Sequence, residues 1–529
     1  MSTLIPNDLR IASANCRQGR RRWLVADPLD YAEFDSGGVV FPMPSRVTLP
    51  VEADFQTRPR QSGGVRLEIL PDIFTSTYLQ AVADWIGDRD LGLDNSLSAS
   101  LFQIRLKSEN PYEVWSTSVP AWIRGELGSG RAVVVADLHD YFGSVTASQV
   151  AAALRSTGLA DELLDGATQL IAAINALPDQ MASTRSGIPV VPEDFFWLVA
   201  DLVMGPVDAA IRRSPSTLSY ARWVDDFFIA TNRGTVGQVA GELATIVQAH
   251  GFRLNDAKTR VFWSVEEFDQ ATLSREHRVV SDLFLTASLG AAYAPQRDRF
   301  EELVNQIGTG SGEETRLWKR LYALARRLES PLLLDRALFD LEQMPGAELP
   351  IFEYLAAFDW RGVAEATIHD CLSKVAVDTR GLGLLHSLLS SHGGVPPAAH
   401  AVLRQALEPS DNKRHPFCAV LAFACLLRTA TSEELADVSR RFLLGLPALH
   451  SAMARRVGIE LLWFIPDLRP ALTGLIAQDR SPSVRSLHRL TSGDVRCGTS
   501  GGTGRRLEGS RPGRWGGVDI CLAHEFGIA

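Results

Sequence analysis

Two adjacent aspartates, Asp225 and Asp226, stand between two strongly apolar segments in YARWVDDFFIA, residues 220 to 230. No other feature constrains the fold as much. The apolar and aromatic residues on either side predict two strands joined by a tight turn that carries the acids. Side by side, the two carboxylates repel and call for a compensating cation. A third acid has a comparable setting in RAVVVADLHDYFGSV, residues 131 to 145. There Val133, Val134 and Val135 predict a buried strand with Asp137 at its end. A carboxylate at a strand end either caps the next turn or binds something, and the segment alone leaves both open.

Nucleotidyl transfer is a chemistry that requires three such acids to meet. A pair of Mg²⁺ ions about 3.5–4 Å apart activates an attacking 3′-hydroxyl and stabilises the leaving pyrophosphate. Hard cations of this kind prefer carboxylate oxygens and complete their shell from the triphosphate. A central strand carrying Asp137 beside a hairpin carrying Asp225 and Asp226 would supply the donors.

At 529 residues the chain is long enough for two or three domains. Its texture sets the expected boundaries: an N-terminal segment over 1–125, an α+β domain over 126–295, a helical domain over 296–488, and a Gly/Arg-rich disordered tail over 489–529. In the first segment Val65 to Leu70 predicts a short strand that follows the turn-like Ser62-Gly63-Gly64. In the third, Leu317, Leu321, Leu324 and Leu328 mark one face of an amphipathic helix. Ser330-Pro331 reads as a cap with proline in the first turn, and Thr431 with Glu434 has capping-box spacing. Short helices separated by prolines predict stacked pairs of the solenoid kind, although no strict repeat is visible.

No apolar run is long enough for a membrane span. The N-terminus lacks a signal pattern, so a cytoplasmic location is expected. The net charge of −9 argues against coating nucleic acid by bulk charge, but not against a local basic channel. Arg17, Arg20, Arg21 and Arg22 belong either to such a channel or to a solvated face. Six scattered cysteines without a CxxC pair predict neither a disulfide framework nor a zinc site.

In order and texture the acid-bearing segments resemble the palm of reverse transcriptases. The first motif of that family, a strand-end Asp followed by an aromatic, is matched by Asp137 through Phe142. A Gly-x-Pro turn leading into a helix is matched from Gly187 and Pro189 in GIPVVPEDFFWLVAD. Trp223-Val224-Asp225-Asp226 matches the aromatic-x-Asp-Asp hairpin, and GFRLNDAKT, Gly251 to Thr259, matches the fourth motif. The match covers roughly residues 50 to 265. The resemblance implies an α+β right-hand polymerase palm and fingers, followed by an all-α, HEAT-like helical-repeat domain. It assigns Asp137, Asp225 and Asp226 to two Mg²⁺ ions, with Mn²⁺ as an alternative. Phe142 would lie under the sugar and favour deoxynucleotides; otherwise it reads as an ordinary core phenylalanine. Lys258 would act as general acid toward pyrophosphate, and otherwise reads as a surface lysine. Arg66 would hold the triphosphate, with Arg58 and Arg60 as helpers.

The departures from the family pattern also carry information. Trp223 stands in place of the usual tyrosine, Val191 in place of a glycine, and Phe195 or Phe196 in place of a small residue that faces the template. With a long helical domain and no recognisable thumb, the chain looks like the bacterial abortive-infection and unknown-group enzymes. That likeness implies dNTPs and nucleic acid as partners (a DNA product, with RNA as one candidate template) and no membrane. It also implies antiphage defence, synthesis without an external template, protein priming and assembly into homo-oligomers. Two alternatives stand beside it: a retron-type enzyme copying a dedicated noncoding RNA, and an inactive palm scaffold with a helical interaction module.

Overall fold

The computed structural model describes residues 52–59, 65–87, 111–159, 161–176, 194–288, 293–307, 312–344, 346–358, 360, 384–385, 387–388, 397–407, 416–463, 465–485 and 487. They divide into two compact units: Thr75–His277 forms the first, and Glu52–Phe74 with the residues from Arg278 onward forms the second. The described residues are mostly helical, with two small antiparallel sheets. No described helix is long and apolar enough to cross a membrane.

The first strands, β1 (Ala53–Pro59) and β2 (Val65–Pro71), pair antiparallel and belong to the second unit. Glu52 and Asp72 close their open end, where the Asp72 amide donates to the Glu52 carbonyl at 2.7 Å. Helix α1 (Ile73–Gly87) follows.

The first unit is built on a four-stranded sheet. Helix α2 (Pro111–Gly128) leads into β3 (Ala132–Asp137), and α3 (Tyr141–Ser144), α4 (Ala147–Ser156), α5 (Asp161–Ala176) and α6 (Asp194–Arg213) come next. The hairpin of β4 (Ser219–Trp223) and β5 (Asp226–Thr231), helix α7 (Val236–Ala249), β6 (Arg260–Phe262) and α8 (Val265–Thr272) complete it. The strand order is β4-β5-β3-β6, antiparallel throughout. Strand β3 is a continuous apolar run because helices pack on both faces of the sheet. On one face Val133 joins Ile123 and Leu127 of α2, Phe228 of β5, Phe262 of β6 and Phe268 of α8. On the other, β3 packs against α7 and β4 against α6.

The second unit is a succession of helices that pack mainly on sequence neighbours. They are α9 (Ser274–Ser288), α10 (Tyr293–Gln306), α11 (Gly312–Arg327), α12 (Leu334–Gln343), α13 (Glu348–Ala357), α14 (Pro397–Ala406), α15 (Pro416–Thr429), α16 (Ser432–Gly445), α17 (Ala452–Trp463) and α18 (Arg469–Gln478). Leu317, Leu321 and Leu324 lie on one face of α11 and Leu328 just beyond its end, all fully buried. Thr431 and Glu434 form the reciprocal capping box at the start of α16. Ser330 behaves differently from the sequence expectation. Pro331 does open a 3₁₀ turn, but the Ser330 side chain makes no capping bond. Ser330 is buried, and its carbonyl accepts from the Tyr354 hydroxyl at 2.8 Å. Cys418 and Cys425 are buried in α15 and take part in no disulfide.

Helix α17 is buried all round from Met453 to Leu462, charged residues included. Arg455 pairs with both carboxylate oxygens of Asp479, at 2.8 and 2.9 Å. A β-carbon at Gly458 of this helix would lie 2.5 Å from Leu446 Cδ1 and 3.1 Å from Phe442 Cζ. Gly458→Val is therefore expected to destabilise the helical unit by about 1–3 kcal/mol through overpacking. A lowered urea midpoint with unchanged slope would show it. An unchanged midpoint would mean that the two neighbours yield at no cost.

Candidate functional site

The acids come together at one end of the first unit's sheet. Asp137, the last residue of β3, is the cross-strand partner of Asp226, the first of β5. Strand alternation puts this pair on the same sheet face. One residue on, the Leu138 amide donates to the Asp225 carbonyl at 3.1 Å. Trp223 and Asp226 close the hairpin, leaving Val224 and Asp225 as a two-residue turn. Val224 sits at φ 53°, in the left-handed region. A β-branched residue pays of order 1–3 kcal/mol there, so the surroundings must hold it.

Arg222 supplies that hold from the opposite face of β4. Its Nη1 donates to the Val224 carbonyl at 2.8 Å. Its Nε and Nη2 grip the two oxygens of Asp208, both at 2.8 Å, and Nη2 also reaches Asp201 at 2.7 Å. Tyr220 donates its hydroxyl to the same Asp208 at 2.6 Å. Arg222 is only 2% exposed. Burial works against its charge, but Asp201 and Asp208 outweigh burial and hold its pKa above the ordinary value.

Asp137 is buried, and its carboxylate already faces a cation. Lys258 Nζ lies 2.9 Å from Asp137 Oδ2, and Asn255 Nδ2 donates to the same oxygen at 3.0 Å. The segment carrying both residues is stitched to the strand end by backbone bonds. The Asn255 amide donates to the Asp137 carbonyl at 2.7 Å, and the His139 amide to the Arg253 carbonyl at 2.8 Å. Gly251, at φ 85°, starts this segment after α7 in a conformation that suits glycine. Gln149 of α4 ties the same corner by donating to the His250 carbonyl at 2.9 Å.

As donors, three carboxylates at one sheet end suit a hard divalent cation. The Lys258 ammonium shows that Asp137 accepts positive charge at this point. Among the described residues, however, no group of three or more His, Cys, Asp or Glu side chains is placed to hold a metal ion. The backbone register thus brings the acids together, and convergence of all three on one ion requires their side chains to turn.

Phe142 is half-buried, with its ring 5.4 Å from Tyr141 and edge-on to Trp197 at 5.4 Å. The Tyr141 hydroxyl donates to the Ala200 carbonyl of α6, which pins the short helix α3. Trp223 is half-buried against the core cluster under α2. Phe195 and Phe196 stand where the family pattern has a small residue. Both lie in the interior, packed edge-to-face at 5.3 Å. The next residue, Trp197, is the one that reaches Phe142, because α6 turns its phenylalanines inward. Arg66 lies on β2 opposite Arg58, in the second unit. Gly187, Pro189, Val191, Arg60 and the arginines from Arg17 to Arg22 lie outside the described residues.

No family model matches the sequence, and no curated protein does. Among solved structures the chain is similar to apo telomerase from Candida tropicalis. That match has 11% identity and a TM-score of 0.30, over 76% of this chain and 69% of that chain. Values this low leave any functional reading resting on the residues themselves.

Sequence reasoning missed Arg222, Asp201 and Asp208, and gave no role to Asn255 although the fourth motif contains it. One signal was present. Arg222 shares a strand face with Tyr220 in an otherwise apolar strand, and a charge at such a position needs a buried partner. Nothing local pointed to Asp208 as that partner.

Proposed function

We propose that the first unit is the catalytic palm of a reverse-transcriptase-type polymerase that adds deoxynucleotides. One observation carries this reading: the register that pairs Asp137 with Asp226 and bonds Leu138 to Asp225 at the sheet end. Two divalent ions, Mg²⁺ or alternatively Mn²⁺, held by Asp137, Asp225 and Asp226 with the triphosphate, would activate the 3′-hydroxyl and stabilise the leaving pyrophosphate. Lys258, 62% exposed in its side chain, exchanges Asp137 for the pyrophosphate and gives it a proton. Asn255 keeps Asp137 oriented during that exchange. The family resemblance assigns Arg66 to the triphosphate and Gly187 and Pro189 to the nucleotide's surroundings. Trp223 presents a flat ring near the primer end.

Phe142 excludes a 2′-hydroxyl from the sugar position, held there by Tyr141 and Trp197. Phe142→Val is expected to raise ribonucleotide use relative to deoxynucleotide use by about 10–200-fold, the range for one lost pocket contact. Competing dATP and ATP incorporation would measure it, and an unchanged ratio would reduce Phe142 to a core residue.

At the finer level, the helical second unit is HEAT-like and replaces a thumb, and the protein serves antiphage defence by synthesis that needs no external template and starts on a protein hydroxyl. The test is incorporation of labelled dNTPs by purified protein with Mg²⁺, with and without template and primer. Label that appears without added nucleic acid and stays on denatured protein supports protein priming. Activity only with an RNA template points to a retron-like enzyme. Silence under every condition leaves a palm used as a scaffold, the reading that the surviving Asp137, Asp225 and Asp226 argue against.

A further inference from the structure

The turn that carries the acids is held from behind. Val224 keeps a left-handed backbone that its branched side chain disfavours, and its carbonyl is bonded to Arg222 Nη1 at 2.8 Å. The rest of the guanidinium is fixed on Asp208 and Asp201 of α6. At 2% exposure, Arg222 is out of reach of competing water. The link therefore runs from a helix, through one buried guanidinium, to the residue immediately before Asp225.

We propose that Arg222 is a positioning residue for the acid hairpin. By anchoring the Val224 carbonyl to α6, it sets the direction in which Asp225 and Asp226 leave the turn, and so their affinity for a divalent cation. The cation rests on the polymerase reading above; the anchoring of the turn does not. A buried ion pair that served stability alone would leave cation affinity unchanged once its charge was conserved. Anchoring predicts a change even then. A lysine keeps the charge but cannot hold both oxygens of Asp208 and reach Val224 as well.

The experiment uses the full chain and three readouts: Mn²⁺ binding by electron paramagnetic resonance, hydrogen exchange of peptides over residues 219–231, and the thermal midpoint. Arg222→Lys is expected to weaken Mn²⁺ binding about tenfold, the lower end for a lost outer partner of a metal ligand. Hairpin amides should lose protection while those of β3 keep theirs. Adding Val224→Gly should restore most of the affinity, because glycine holds a left-handed turn without help. Wild-type affinity together with wild-type exchange in Arg222→Lys overturns the proposal, and so does a double variant that recovers nothing. If Arg222→Lys fails to fold, Asp201→Ala replaces it, since the Asp208 pair then remains. Severalfold weaker Mn²⁺ binding is expected there, and unchanged binding overturns the proposal. If wild type binds no Mn²⁺ that Asp225→Ala/Asp226→Ala removes, the polymerase reading fails on its own, and hairpin exchange still decides for or against the anchor.

Discussion

Asp225→Ala/Asp226→Ala is expected to lower deoxynucleotide incorporation at least ~1,000-fold, which corresponds to about 4 kcal/mol of transition-state stabilisation. The size follows from what the two acids are placed to do. They occupy the turn and the first residue of β5, beside Asp137, where alanine would leave no oxygen to serve as ligand. Both are half-buried rather than core residues, so their removal leaves the sheet's packing intact and relieves a repulsion. The variant should thus keep the wild-type thermal midpoint while losing activity, measured as labelled dNTP incorporation per mole of folded protein. Equal incorporation by variant and wild type would remove these acids from the chemistry. Loss of activity together with loss of fold would show that they hold the hairpin rather than a cation.

Asp208→Ala carries the largest expected effect on stability, a loss of about 3–5 kcal/mol. It strips Arg222 of its two-point partner and leaves the Tyr220 hydroxyl without its acceptor, both at buried positions. A buried guanidinium left half-compensated is costly, because neither water nor another carboxylate besides Asp201 can reach it. The exposed Arg441–Asp437 pair of α16, with side chains 60% and 61% exposed, provides the contrast. Asp437→Ala is expected to cost about 0–1 kcal/mol. Urea unfolding of both variants decides the matter, and a loss near that of Asp437→Ala would mean that Arg222 finds solvent or a new partner.

The local elements were legible in the sequence wherever one side-chain period was enough to state burial. The apolar and aromatic residues flanking Asp225-Asp226 in YARWVDDFFIA specified the hairpin, with the acids at its turn, and the valine run specified β3 with Asp137 at its end. The spacing from Leu317 to Leu328 specified a buried face, and Thr431 with Glu434 specified a helix start. Each of these is settled within a few residues, by the pleat, the helical turn or a cap.

Only the tertiary structure decided which groups meet. Lys258 pairs with Asp137, which is remote in sequence, because the segment after α7 is bonded along the strand end. Arg222 finds Asp201 and Asp208 because α6 packs on β4, a choice that no period encodes. The same helix turns Phe195 and Phe196 inward and Trp197 toward Phe142, a choice the motif left open. Ser330 makes no cap because the Leu333 amide, the donor its side chain would accept from, is bonded to the Tyr354 hydroxyl of another helix at 3.1 Å. Arg66 sits on a hairpin grouped with the helical unit, although the chain order places it before the palm. The physical reason is common to all five. A pattern along the chain states how far a residue is removed from water, whereas a partner for a buried charge or ring is selected by the packing of whole elements.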